Sequence, residues 1–272
     1  MPMNFFTFLR KLLLATHLSH ERVYSFWKVR ESGFTLREPL TAQERIFFLQ
    51  IWPILTSGSM VAYDIGASVG IFSSCLAKIP HITSVHAFEP IPGSFKRLAE
   101  RMQRYPQVTC HNVALGEVNE QQQMWVMDQA LDSSSFLHVG SLQQQEFTGS
   151  FEAHAEYLPI VRLDDYVQEH HLAPPDLVKI DVQGFEDRVL RGGKETIRKA
   201  SYCLMEMSFR PLYEGSPVFD DIYRQMREMG FRLIGIADIL KGKSGAQLQV
   251  DGIFENDRLF SPDKKPSLPQ GE

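Results

Sequence analysis

From Met60 onward, short apolar runs alternate with segments whose apolar residues recur at helical spacing. The runs Met60–Ile65, Ser84–Phe88, Val108–Val113, Leu177–Val182, Tyr202–Met207 and Phe231–Ile236 predict strands. The segments Ile71–Ile79, Ser94–Arg104, Glu186–Lys199 and Phe219–Met229 predict the helices between them. This alternation predicts an α/β fold: a mostly parallel, doubly wound sheet with helices on both faces. Right-handed crossovers would then line all strand carboxyl ends along one edge, where open α/β sheets bind ligands. Between Leu115 and Arg162 the rhythm breaks into Gln-rich and Ser-rich stretches. The strand candidates there, Met124–Met127 and Tyr157–Leu163, have no crossover helix between them, so the region reads as an insertion near the ligand edge.

Before Met60 the pattern is helical. Phe5, Leu9 and Leu13 share one helical face, and Thr41 with Glu44 forms a capping box ahead of Ile46, Phe47, Leu49 and Ile51. Three parts are therefore expected: a helical cap over residues 1–59, a main domain over 60–260 and a frayed polar tail over 261–272. The first apolar run is interrupted by Arg10 and Lys11, too short to span a bilayer and without a cleavage site. Packing on the main domain, as lid or homodimer contact, is the favoured role for that helix, with weak membrane-surface contact as the alternative.

Composition narrows the class only a little. The 272 residues are 43% hydrophobic and 22% charged, which excludes collagenous, coiled-coil and wholly disordered chains. A net charge of −5 argues against a nucleic-acid partner. Cys75, Cys110 and Cys203 form no CxxC and sit in apolar runs, which reads as buried small hydrophobes in a reducing, cytoplasmic setting.

The chemistry is concentrated in the first strand-turn-helix, running from Val61 to Phe72 with Asp64, Gly66, Ser68 and Gly70 in the turn. Glycines there let backbone N–H groups approach a ligand. Glu89 ends the next strand, where a carboxylate accepts both hydroxyls of a ribose. The glycines follow GxxxG, and the dinucleotide pattern GxGxxG is absent. Asp64 would repel a pyrophosphate but attract the amino group of S-adenosylmethionine's methionine portion. A nicotinamide-dependent oxidoreductase is thereby disfavoured. Asn112 and Ala114, at the end of the third strand, stand where an adenine contact is expected.

These segments resemble the FkbM family of methyltransferases. The resemblance rests on Asp64 through Gly70, Ala87 through Pro90, Asn112 through Gly116, Val161 through Tyr166, Val178 through Glu186 and Val189 through Gly192. It covers about Met60 to Phe260, with motif order intact. Membership implies a Rossmann-like class I methyltransferase fold, S-adenosylmethionine as cofactor, and methylation of a hydroxyl on a sugar, glycan or other natural product. The family's serine-rich stretch corresponds to Ser133, Ser134 and Ser135, whose hydroxyls would reach methionine or acceptor. One departure stands out: the family reads Asp-Val-Glu-Gly where this chain has Gln183. A cofactor-binding protein without turnover stays open on that residue.

On the acceptor side, Lys179 and Asp181 share one face of the fourth strand, and Glu206 holds the comparable place on the next. Asp181 is the first choice for base or acceptor-orienting group, with pairing to Lys179 as its structural alternative. Glu206 is second, and Glu186, in a first helical turn, reads equally well as a cap. His170 and His171 lack partners at ligand spacing, so no metal site is expected.

Overall fold

The computed structural model describes residues 35–55, 58–127, 134–147 and 152–259. The expected face of Phe5, Leu9 and Leu13, residue Ser133 and the polar tail lie outside them.

A seven-stranded sheet runs in the order β3-β2-β1-β7-β8-β10-β9. Its strands are β1 (Met60–Ile65), β2 (Ile82–Phe88), β3 (Val108–His111), β7 (Leu177–Ile180), β8 (Tyr202–Ser208), β9 (Phe231–Lys241) and β10 (Gln247–Asn256). Every neighbouring pair from β3 to β8 is parallel, while β10 runs antiparallel to both β8 and β9. A second, three-stranded sheet joins β4 (Ala114–Gly116), β6 (Ala153–Arg162) and β5 (Glu120–Met127). It occupies the region where the alternation breaks. The helices are α1 (Ala42–Ile51), α2 (Ile71–Ala77), α3 (Pro92–Met102), α4 (Ser141–Glu146), α5 (Leu163–Glu169), α6 (Glu186–Gly192), α7 (Lys194–Ile197) and α8 (Phe219–Met229).

The alternation of side chains along β1 divides the core. Tyr63 and Ile65 join Phe88, Val178, Met205, Met226 and Phe231 in a cluster on the α8 face. Ala62 joins Phe48, Ile51, Phe72, Leu76 and Leu204 in a cluster on the α1 and α2 face. Asp64 therefore points to the second face, into an apolar layer, and its surroundings must supply polar partners.

Two sequence expectations change. The helix expected over Glu186–Lys199 is split into α6 and α7 at Gly192 and Gly193. A Cβ on Gly192 would sit 1.7 Å from the carbonyl oxygen of Gly116, so the close approach of α6 to β4 requires glycine. The last strand, β10, was not read from the sequence because Gln249, Asp251 and Asn256 interrupt its apolar pattern. Its buried Asn256 satisfies itself by donating to the carbonyls of Arg198 and Ala200.

The capping box at Thr41 and Glu44 forms as read, and α1 lies against α2. Glu44 is buried, accepting from Ser74 Oγ at 2.5 Å and Lys78 Nζ at 2.8 Å, and Phe47 meets Phe72 edge-on. Removing one partner of a buried ion pair strands the other charge. Lys78→Met should therefore lower unfolding free energy by about 3–5 kcal/mol in a denaturant titration. Adding Glu44→Gln to it should recover part of the loss.

Candidate active site

Beyond the carboxyl end of β1, the chain turns through Gly66 and Gly70, both at positive φ, with Ser68 also left-handed. The reasons differ. A Cβ on Gly66 would lie 1.9 Å from the carbonyl oxygen of Asp181, so this turn is packed against the end of β7. A Cβ on Gly70 would instead meet Leu98 of α3 at 2.6 Å. Gly70 serves helix packing and is not in the wall of the cleft.

That cleft opens beside the turn, at the carboxyl ends of the parallel strands. Gly66, Ser68, Glu89, Ala114, Ser134 and Asp181 line it, with Phe88, Ile91, Val113, Leu115 and Met124 as apolar wall. Phe136 and Phe185, also in the wall, have ring centres 5.0 Å apart and planes tilted by 37°. Glu89 is only 4% exposed. It accepts from Ser68 N–H at 2.8 Å and Ile91 N–H at 2.9 Å. Burial nevertheless pushes its carboxyl up to about 7, since those N–H bonds only partly offset the loss of water. Ser134 Oγ accepts from Met127 N–H, while Ser135 Oγ donates to the Gln183 carbonyl at 2.6 Å, tying the serine segment to the β7 end.

Asp64 and Asn112 stand elsewhere than expected. Asp64 is fully buried beneath the turn; one carboxylate oxygen accepts from Ser73 Oγ at 2.6 Å and the other has no partner among the described residues. Its carboxyl is raised by burial. It supports the turn from below, and no part of it lines the cleft. Asn112 is exposed and donates to the carbonyls of Glu89 and Pro90, which fixes the strand end that carries Glu89.

On the opposite side of Gly66 lies a connected polar group. Lys179 Nζ donates to Asp181 Oδ2 at 2.9 Å. Gln183 Nε2 donates both to Asp181 Oδ1 at 2.9 Å and to Glu206 Oε2 at 3.1 Å. Tyr213 Oη donates to Gln183 Oε1 at 2.8 Å and itself accepts from Gln143. Burial would raise the Asp181 carboxyl, but Lys179 beside it holds it below the usual range. Burial and the Asp181 charge drive Glu206 well above that range. Of the two carboxyls, Asp181 is thus the stronger acid and Glu206 the weaker. Glu186 sits to one side, accepting from Val182 and Gly184 N–H groups, and so braces the loop.

Sequence reading singled out Lys179, Asp181 and Glu206, and the structure brings them together. It also singled out Gln183, but only as a departure; the bridging amide and the Tyr213 contact carry no sequence signal. Phe136 and Phe185 were missed because aromatic residues in a loop carry no periodicity. Among the described residues no group of three or more His, Cys, Asp or Glu side chains is placed to hold a metal, and no helix is long and apolar enough to cross a membrane.

A glycine turn after the first strand, a buried carboxylate after the second and an acidic group after β7 surround one cleft. Its carboxylates and aromatic wall fit a cofactor with a cationic group, a diol and a flat base. This arrangement defines a Rossmann-like methyltransferase that uses S-adenosylmethionine. The FkbM methyltransferase domain matches residues 64–233, more than half of the chain, and the protein belongs to that family. It is 27% identical over 198 residues to the 2-O-methyltransferase NoeI of Sinorhizobium fredii, covering 69% of this chain and 79% of the relative. It is 25% identical over 202 residues to the 31-O-demethyl-FK506 methyltransferase FkbM of Streptomyces tacrolimicus, covering 66% of this chain and 75% of that one. Among solved structures it is similar to magnesium protoporphyrin IX methyltransferase ChlM of Synechocystis, at a TM-score of 0.43 and 12% identity over 92% of this chain and 96% of that chain.

Gly66 is the joint between the two halves of the cleft. Gly66→Ala should cost about 2 kcal/mol or more from clash and φ together, read as a lowered thermal midpoint. It should also weaken cofactor binding by calorimetry.

Proposed function

We propose that this chain methylates a hydroxyl oxygen of a sugar, glycan or other natural product, with Asp181 taking the hydroxyl proton and Glu206 completing the pair. The observation that carries this reading is the Gln183 amide joined to both carboxylates at one end of the cleft. Both comparisons with named O-methyltransferases support oxygen as the acceptor atom.

When bound, S-adenosylmethionine supplies a methyl group on a cationic sulfur. Glu89 would accept from its ribose hydroxyls, and Gly66, Ser68, Ala114 and Ser134 would line its contact surface. Asp64, Gly70 and Asn112 act through the turn and strand ends they hold. Lys179 and Gln183 fix the two oxygens of Asp181, so its remaining lone pairs orient the acceptor hydroxyl. A carboxylate held low is a weak base. It suffices because an oxygen gaining a carbon loses electron density, and its proton becomes far more acidic than that of an alcohol. The proton passes to Asp181, which the Gln183 amide links to Glu206.

Helix α1 is proposed to form the outer wall on the acceptor side, since it packs on the sheet face that carries Lys179. Gln183, which departs from the family pattern, joins this polar group rather than interrupting it.

Asp181→Asn should lower kcat about 100-fold or more while leaving cofactor affinity within a few-fold, measured by S-adenosylhomocysteine release and calorimetry. Full activity in that variant would remove Asp181 from the chemistry. For Glu89 the sign follows from its raised value of about 7. Below that pH the carboxyl is protonated and offers the ribose fewer acceptor positions. Cofactor affinity should strengthen from pH 6 to pH 8, and Glu89→Gln should flatten the dependence. Gln183→Glu sets a third carboxylate beside two others, which raises their proton affinity. Its acidic limb of kcat should shift to higher pH.

A further inference from the structure

Past the Asp181 and Glu206 pair, the polar surface continues onto β10. Strand register sets Asp251 directly opposite Glu206. Directly opposed residues on antiparallel strands project from the same face with Cβ atoms about 4.5–5.5 Å apart. From α1, Gln50 reaches this spot and donates its Nε2 to Asp251 Oδ2 at 3.2 Å. Gln50 is 6% exposed, and its Oε1 accepts from no donor among the described residues. A buried acceptor of this kind is unfavourable until something donates to it.

We propose that Glu206, Asp251 and Gln50 form an acceptor subsite that reads the hydroxyls beside the methylated one, which makes a ring-shaped polyol the preferred acceptor. The inference rests on Asp181 receiving the reacting hydroxyl. The three groups together offer mostly acceptor positions, so their complement carries several donors at neighbouring carbons. Vicinal hydroxyls meet that need, and they also accept from a protonated carboxyl. An ammonium group only donates. A lone alcohol would engage Asp181 and leave Gln50 Oε1 and Asp251 as they are. The subsite is shared between α1 and β10, so the segment before Met60 takes part in choosing the acceptor. That involvement separates acceptor recognition from the cofactor cleft, which α1 does not line.

The test uses the full chain with saturating S-adenosylmethionine and a set of probes: methyl glycosides and myo-inositol, against cyclohexanol and cyclohexylamine. Methylation is read by mass spectrometry and by S-adenosylhomocysteine release. Ring polyols should be methylated in preference to both single-function rings. In Asp251→Asn and in Gln50→Leu, KM for the accepted polyol should rise about tenfold or more, with kcat and cofactor affinity changed less than about threefold. The proposal is overturned if cyclohexanol or cyclohexylamine is methylated as well as the polyols. It is equally overturned if no polyol of the set is accepted, or if both variants that still bind cofactor keep the original KM. Asp181→Asn with full kcat on the same polyols would sink the proton-accepting role yet leave the subsite standing, so the two failures are distinct.

Discussion

Lys179 is the constraint on which the rest of this site depends. The residue is 6% exposed and stands opposite Asp64 in the strand register, and its ammonium donates to Asp181. Burial alone would drive such a group toward neutrality, yet Asp181 and Asp64 hold it firmly charged. The dependence is mutual. Isolated buried charges cost several kcal/mol each, so neither the lysine nor the ionised carboxylate is stable there alone. The Phe72 ring beneath the ammonium, 5.6 Å away, adds a favourable face without adding charge.

One cation cannot neutralise every carboxyl around it. Asp64, Asp181, Glu206 and Asp251 all feel this field, and burial forces the excess to be taken up as protons. Asp181, bonded to the lysine, is held below the usual range; Glu206 and Asp251 are raised by burial and by Asp181, the latter to about 7. Gln183 then links Asp181 to Glu206 without contributing charge of its own. The glutamate expected there from the family pattern would enter an already overfilled field. In this chain the amide, positioned by the Tyr213 hydroxyl, keeps the pair together at lower electrostatic cost.

Much of this was legible in the sequence for a definite reason. Strands buried on both faces read as apolar runs, and functional carboxylates at their ends interrupt those runs, so Asp64, Glu89, Asp181 and Glu206 stood out. Direction was harder. Gly66 and Gly70 look alike in the turn, yet one opens toward β7 and the other toward α3. Asp64 was expected to face the cofactor, but the two-residue alternation of β1 carries it to the underside, onto Ser73 of α2. Asp251 was invisible because β10 is a buried strand with too many polar residues to look like one. Gln50 was hidden in a helix whose other residues explained it as ordinary packing. Contacts that join residues 201 positions apart, as Gln50 and Asp251 are, leave no local trace.

Lys179 sets the Asp181 and Glu206 carboxyls apart, holding the first below the usual carboxylate range while the second lies well above it. Carbon-13 NMR of the full chain, with aspartate and glutamate carboxyls labelled and assigned by Asp181→Asn and Glu206→Gln, measures this separation directly. The Asp181 signal should titrate below the usual carboxylate range and the Glu206 signal well above it. Two carboxyls titrating together near ordinary values would contradict that separation.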